Sequence, residues 1–267
     1  MPKPISSEKT ETGASYAAPE CAPFFRDTGG NECCLCIHGF TGCPAIYLPL
    51  ADELSDLGYN VSAPLLAGHG TRPEDLRGVS ERSWFYGVSA ELERLLDCYR
   101  KVHIIGLSLG GAIATWLAGN NANRAGVGRL ILLAPGYGLK DKRYYGTGFF
   151  AADDVMIQLP RRKPAGDGLD HTRFGYPAMP LYSVKQLLLA AKRSTLVLDL
   201  VRMPTMLLYT AADMIADPDA CEKAAERIVS IEISHRYATG EHNLLLGPDR
   251  LDVIRRIVEF LGPAGAP

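Results

Sequence analysis

The chain has 267 residues, of which 47% are hydrophobic and 22% are charged, and its formal net charge is −2. This is the composition of a globular protein that is long enough to bury a substantial core. The small net charge excludes a global field that would attract nucleic acid or an anionic membrane. No apolar run approaches the ~20 residues of a membrane-spanning helix.

The first segment, residues 1–31, is predicted to be a polar lead-in that is partly mobile. It lacks the apolar stretch of a secretory signal peptide. The seven cysteines are an odd number and follow no spacing of a small disulfide scaffold. We therefore expect reduced thiols and a cytoplasmic protein.

Short apolar runs recur along the chain and predict strands that are buried on both faces of a parallel sheet. These runs are residues 33–37, 59–64, 102–107, 129–135, 205–210 and 229–234. Helical patterns lie between them, at 45–58, 80–100, 109–119, 217–229 and 248–262. The alternation predicts the α/β class, with a doubly wound, mostly parallel sheet.

Residues 137–200 interrupt this alternation. They are rich in glycine, proline and charge, contain no convincing buried strand, and end in a helical stretch. A segment this long is unusual as a bare loop. We predict that it is a small cap or lid, inserted after the sixth strand, over a core formed by 32–136 and 201–267.

The sequence GLSLGG, residues 106–111, follows a predicted strand and opens a predicted helix. This is the Gly-x-Ser-x-Gly pattern of a nucleophile elbow, in which a serine occupies a sharp turn between strand and helix. The small residues Gly106 and Gly110 would let the strand and helix approach each other. The pattern predicts that Ser108 is a catalytic nucleophile, and the alternative is a structural glycine-rich turn.

A serine nucleophile needs a base, and the base needs an acid that orients it. In this type of fold the chain order is serine, acid, histidine. Asp213 follows a predicted strand and is the candidate acid, whereas Asp217 and Asp219 fall where helix capping explains them. The candidate base is His242, in a loop before the last helix.

Of the six histidines, only His235 and His242 follow the candidate acid. His235 closes a predicted strand, and a polar residue at the end of a strand needs no catalytic explanation. A histidine in the loop at 242 could reach both the serine and the acid, so His242 is preferred.

The stretch CCLCIHGFTGC, residues 33–43, reads as an early strand followed by a glycine turn. The backbone N–H groups of Phe40 and Leu109 are predicted to form an oxyanion hole at the same sheet edge. A metal site is disfavoured, because Cys34 and His38 would lie about 13 Å apart along an extended strand. Cysteines that act as small buried hydrophobes are the simpler interpretation, although Cys43 could carry a reactive thiol near the pocket.

The motifs IHGFTGCP, GHGTRPEDL, GLSLGG, PTMLLYTAADMIADPDA and GEHNLLL occur together in this order. The chain resembles bacterial carboxylesterases and monoacylglycerol lipases of the α/β-hydrolase superfamily over most of residues 32–262. The resemblance implies carboxylic ester hydrolysis with Ser108, Asp213 and His242 as the triad, and a small lid above an acyl pocket. It gives His69, in the GHG motif, no catalytic role.

We expect Gly39, Thr41, Cys43 and Ile215 to line the substrate site, and we expect neither a metal nor an organic cofactor. The expected substrates are esters of short to medium acyl chains, with monoacylglycerols among the candidates. Thioesterase, acyltransferase and peptidase activities remain alternatives on the same triad, as does a non-catalytic small-molecule-binding protein of this fold. Either a monomer or a dimer fits the sequence.

Overall fold

The computed structural model describes residues 15–147, 155–159 and 175–265. The strands are β1 (Phe24–Arg26), β2 (Glu32–Ile37), β3 (Asn60–Ala63), β4 (Lys101–Leu107), β5 (Val127–Leu133), β6 (Met156–Gln158), β7 (Ala178–Pro180), β8 (Thr205–Thr210) and β9 (Ile231–Tyr237). The α-helices are α1 (Leu48–Asp56), α2 (Glu81–Cys98), α3 (Leu109–Asn120), α4 (Tyr144–Thr147), α5 (Leu181–Thr195), α6 (Pro218–Arg227) and α7 (Arg250–Leu261).

The main sheet has the strand order β1-β3-β2-β4-β5-β8-β9. Only β1 runs antiparallel to its neighbour, and the other pairs in this sheet are parallel. This confirms the predicted mostly parallel sheet. Because parallel strands point the same way, the loops that follow β2, β4 and β8 meet at one edge of the sheet.

The core lies on both faces of this sheet. Along β2, Cys33 and Leu35 pack towards α2, α3, α5 and α6, whereas Cys34 and Cys36 pack towards α1 and α7. Each of these side chains is at most 1% exposed. The prediction that cysteines serve here as small buried hydrophobes is therefore confirmed.

The N-terminal segment differs in part from the sequence expectation. Residues 1–14 of the predicted lead-in lie outside the described residues. Within the rest of that lead-in, Phe24–Arg26 form β1, which pairs with β3 at the sheet edge. A strand of three residues carries too little periodicity to be read from sequence alone.

The segment 137–200 follows β5, the fifth strand in chain order, and not a sixth strand as predicted. Its residues 148–154 and 160–174 lie outside the described part of the chain. Within the rest, β6 and β7 form a small antiparallel pair that the sequence did not indicate. Helix α5 packs on α2 and α3, so its packing places it in the helical layer of the main sheet.

We find no helix in the described ranges that is both long and apolar enough to cross a membrane.

Candidate active site

The nucleophile elbow lies where β4 ends and α3 begins. Ser108 is the single residue between these elements, and its backbone adopts φ 54° and ψ −117°. A Cβ atom at Gly106 would lie 2.2 Å from the Gly110 carbonyl oxygen. A Cβ atom at Gly110 would lie 1.9 Å from the Ile37 carbonyl oxygen of β2. Both glycines are therefore required by the close approach of α3 to the sheet.

The structure brings Ser108, His242 and Asp213 together as the sequence predicted. The Ser108 hydroxyl is placed to donate to Nε2 of His242, with 2.8 Å between the two atoms. The Nδ1–H group of His242 donates to Oδ2 of Asp213 at 2.6 Å. A neutral imidazole in this tautomer accepts a proton at Nε2 while its orientation is fixed through Nδ1.

Asp213 lies in the loop after β8, and the backbone around it holds its carboxylate. The N–H groups of Ile215 and Ala216 donate to Oδ1 at 2.8 and 2.9 Å. The other oxygen, Oδ2, is left to face His242. Because Asp213 is only 3% exposed, these bonds replace the water that a buried carboxylate has lost.

The rival residues occupy other positions. Oδ1 of Asp217 accepts the Asp219 N–H at 3.2 Å at the start of α6, which confirms the capping interpretation. Its Oδ2 forms an ion pair with Lys142. His235 lies within β9, where its ring packs edge-on against Tyr237 with 4.5 Å between the ring centroids.

The turn after β2 passes directly beside the nucleophile. A Cβ atom at Gly39 would lie 3.2 Å from Cβ of Ser108, so a side chain there would press against the nucleophile. Within the described ranges, the N–H groups of Phe40 and Leu109 donate to no other group of the chain. Leu109 directly follows the nucleophile, and Gly39, the neighbour of Phe40, lies against Ser108, so these two amides are the candidate donors to an oxyanion.

The residues predicted to contact substrate differ in their exposure and in their contacts. Thr41 lies in the turn, and its hydroxyl donates to the Phe40 carbonyl at 2.6 Å. Ile215 is 44% exposed beside the Asp213 loop. Cys43 is 2% exposed, and its sulfur lies 2.8 Å from that of Cys21. A substrate contact by Cys43 would therefore come from its backbone or require the loop to move.

Sequence reasoning missed two buried histidines that hold these loops. Nδ1–H of His38 donates to the Gly39 carbonyl at 2.8 Å, and Nε2 accepts the Leu66 N–H at 3.1 Å. Nε2 of His69 accepts the Thr41 N–H at 3.0 Å. Burial lowers the pKa of His38 to about 3 and the pKa of His69 to about 4, so both rings are neutral near pH 7. Their positions in the IHG and GHG motifs were the available signal.

Comparison with known proteins identifies the group to which this arrangement belongs. The family model described as "Alpha/beta hydrolase family" matches residues 34–257. The thermostable monoacylglycerol lipase of Bacillus sp. (strain H-257) is 26% identical over 239 residues, which cover 89% of this chain and 93% of that protein. The carboxylesterase of Bacillus subtilis (strain 168) is 36% identical over 91 residues, 34% of this chain and 37% of that protein.

Among solved structures, one from the work on the metagenome-derived lipolytic enzymes LipS and LipT aligns with a TM-score of 0.81 and 22% identity. That alignment covers 91% of this chain and 98% of the other, and at this identity it supports the fold. The family match spans most of the chain and includes the elbow, the acid and the histidine. The chain belongs to the alpha/beta hydrolase family.

Proposed function

We propose that the protein is a serine hydrolase that cleaves carboxylic esters through an acyl-enzyme on Ser108. The observation that carries the proposal is the continuous hydrogen-bond chain from Ser108 through His242 to Asp213, with distances of 2.8 and 2.6 Å. The ester-cleaving relatives reported above support the choice of substrate class.

In the first step, Nε2 of His242 takes the Ser108 proton while Oγ attacks the ester carbonyl carbon. The carbonyl π electrons move onto oxygen, giving a tetrahedral oxyanion. His242 then passes its proton to the leaving alkoxide as the carbon–oxygen bond of the ester breaks. The products of this step are an alcohol and the acyl-enzyme.

The N–H groups of Phe40 and Leu109 are the donors that we assign to the oxyanion. Leu109 is the first residue of α3, so the positive end of the helix dipole adds to the stabilisation of negative charge. Losing one donor of this kind typically lowers kcat by about 10²–10³-fold.

In the second step, a water molecule gives its proton to His242 and attacks the acyl carbonyl. Collapse of the second tetrahedral intermediate returns the proton to Ser108 and frees the carboxylic acid. Asp213 keeps the imidazole oriented and stabilises its positive form throughout.

We propose esters of short to medium acyl chains as substrates, including monoacylglycerols, and a cytoplasmic location. We also propose that the segment 137–200 contains the cap above the core formed by 32–136 and 201–267, with its helix α5 packed against the helices of that core. Within this segment, the Tyr176 N–H donates to the carbonyl of Thr41, in the turn beside Ser108. This hydrogen bond supports a position of the cap near the active site.

The test is hydrolysis of p-nitrophenyl esters from acetate to palmitate by the purified protein and by Ser108→Ala. We expect a maximum at short or medium chains, and a loss of about 10⁴-fold or more in the variant. Ser230→Ala is the control, because Ser230 immediately precedes β9, at the opposite edge of the sheet. Its activity should match the parent protein.

A parallel series of acyl thioesters separates the main alternative. A higher kcat/KM on thioesters than on oxygen esters of the same chain length would assign the protein a thioesterase activity instead of an esterase activity. No turnover of either series by the folded protein would reject the hydrolase proposal and favour ligand binding.

A further inference from the structure

The turn that carries the Phe40 amide is strained. The Gly42 N–H donates to the Gly39 carbonyl at 3.1 Å, which closes a four-residue turn. Its third residue, Thr41, has φ 62°. Turns with positive φ at this position prefer glycine, and a β-branched residue there costs energy unless neighbouring groups hold it.

Both sides of the Thr41 residue are anchored by groups distant in sequence. Its N–H donates to Nε2 of His69 at 3.0 Å, and its carbonyl accepts the Tyr176 N–H at 2.8 Å. The other ring nitrogen of His69 donates to the Ala67 carbonyl at 3.1 Å. That bond fixes the tautomer and leaves Nε2 with the lone pair that Thr41 needs.

Tyr176 also holds the His69 ring in place. The two rings are stacked, with 6.0 Å between centroids and an interplanar angle of 7°. The Tyr176 hydroxyl donates to the Gly68 carbonyl at 2.9 Å and accepts the Thr71 N–H at 3.1 Å. His69 and Tyr176 are 2% and 4% exposed, so water does not compete for these contacts.

We propose that His69 and Tyr176 are positioning residues that hold the strained turn at Thr41 so that the Phe40 amide faces the oxyanion. The inference rests on the proposed function. Because Tyr176 belongs to the candidate cap, it also implies that this segment and the oxyanion hole are mechanically linked.

The test compares His69→Ala and His69→Gln on p-nitrophenyl butyrate. Removing the acceptor lets the turn relax, so His69→Ala should lower kcat by about 10–100-fold, somewhat less than loss of an oxyanion donor itself. KM should change by less than about 2-fold, because the effect falls on the transition state. In His69→Gln, the amide can accept from Thr41 and donate to Ala67, so activity should largely return.

His103→Ala is the matched control for loss of a buried histidine. His103 is 1% exposed, burial lowers its pKa, and its Nδ1 accepts the Arg129 N–H at 3.0 Å. It lies on β4, about 16 Å along the strand from Ser108. We expect His103→Ala to lower stability and leave kcat per folded molecule close to that of the parent.

Tyr176→Phe keeps the stacked ring and removes the hydroxyl contacts. It should lower kcat by about 3–10-fold, consistent with the loss of hydrogen bonds that act through a neighbour. Tyr59→Phe is its control. Tyr59 immediately precedes β3, and its hydroxyl donates to the carbonyl of Leu261 at the end of α7 at 3.2 Å. That variant should keep its kcat.

Two further readouts test this inference, and the second is independent of the proposed function. A trifluoromethyl ketone, whose adduct with serine carries an oxyanion, should bind more weakly to His69→Ala by the same factor as the loss of kcat. Hydrogen exchange of residues 39–42 should become faster in His69→Ala and not in His103→Ala, whether or not the parent protein turns over esters.

Unchanged kcat and unchanged exchange in folded His69→Ala would overturn the inference. So would equal losses of kcat in His69→Ala and His103→Ala. If the parent protein does not hydrolyse esters, the ester-hydrolase proposal is rejected. If hydrogen exchange of residues 39–42 is then faster in His69→Ala but not in His103→Ala, the role of His69 in holding the turn still stands.

Discussion

Nε2 of His242 lies 2.8 Å from the Ser108 hydroxyl oxygen, although 134 residues separate them in the chain. The contact forms because β4 and β8 are parallel strands of one sheet and their following loops meet at its carboxyl edge. The loop after β9 then brings His242 between Ser108 and Asp213. This arrangement predicts which substitutions should lower kcat and which should lower the free energy of unfolding.

Replacement of Asp213 by asparagine should lower kcat by roughly 10³–10⁴-fold, because the amide no longer holds the imidazole in the required tautomer. Esterase assays on the purified variant measure this. The control is Asp217→Asn, whose carboxylate caps α6 and pairs with Lys142. Equal losses in both variants would remove Asp213 from its assigned role.

Substitution of Gly110 by alanine should destabilise the fold. The added Cβ would lie 1.9 Å from the Ile37 carbonyl, so α3 would have to move away from β2. A loss of about 3 kcal/mol in the free energy of unfolding is expected for overpacking at such a site. Urea denaturation measures it.

Gly87→Ala is the matched control for that substitution. Gly87 lies within α2, and a Cβ atom there would meet nothing within 4 Å. Alanine should therefore stabilise the protein by about 0.5–1 kcal/mol. Similar destabilisation by both alanines would contradict the close packing inferred at the elbow.

The free energy of unfolding should fall as pH decreases from 6.5 to about 4. Burial holds the pKa of His38 at about 3 and that of His69 at about 4, below the ordinary value of 6.5. In this window the unfolded chain binds more protons than the folded chain, so acid favours unfolding. Each histidine contributes a slope of up to about 1.4 kcal/mol per pH unit.

Urea denaturation at several pH values would measure this slope in the parent protein and in His69→Gln. The variant should show a shallower slope, because glutamine does not titrate. Equal slopes in the two proteins would show that His69 is not held neutral by burial.

Alkylation of the native protein by iodoacetamide should label Cys98 before the other cysteines. Cys98 is exposed, whereas Cys21 and Cys43 are buried with their sulfur atoms in contact. Burial raises the pKa of both buried thiols, which lowers the thiolate fraction that reacts. Peptide mass mapping after a short exposure would identify the labelled residue, and prior labelling of Cys43 would contradict its burial.

Much of this architecture could be predicted from the sequence because its signals are local. The apolar runs predicted the six parallel strands of the main sheet, although not β1, β6 or β7, and the Gly-x-Ser-x-Gly spacing located the elbow at Ser108. The capping signal at Asp217 separated that residue from Asp213. Each of these features depends on residues that are near one another in sequence.

The features that were missed depend on contacts between distant residues. The GHG motif draws attention to His69, but nothing near it in the sequence shows that it accepts the Thr41 N–H or that Tyr176 stacks on it. Cys43 was expected near substrate, yet its side chain is buried against Cys21. The sequence did not predict this contact, because Cys21 lies in the N-terminal segment, 22 positions away. Periodicity carries no information about such pairings.

The most direct test of the central claim is to trap the acyl-enzyme. The protein would be mixed with p-nitrophenyl butyrate, quenched in acid within milliseconds, digested, and examined by mass spectrometry. The account predicts a butyryl group on the peptide that contains Ser108, and none in Ser108→Ala. A butyryl group on another residue, or undiminished turnover by Ser108→Ala, would contradict it.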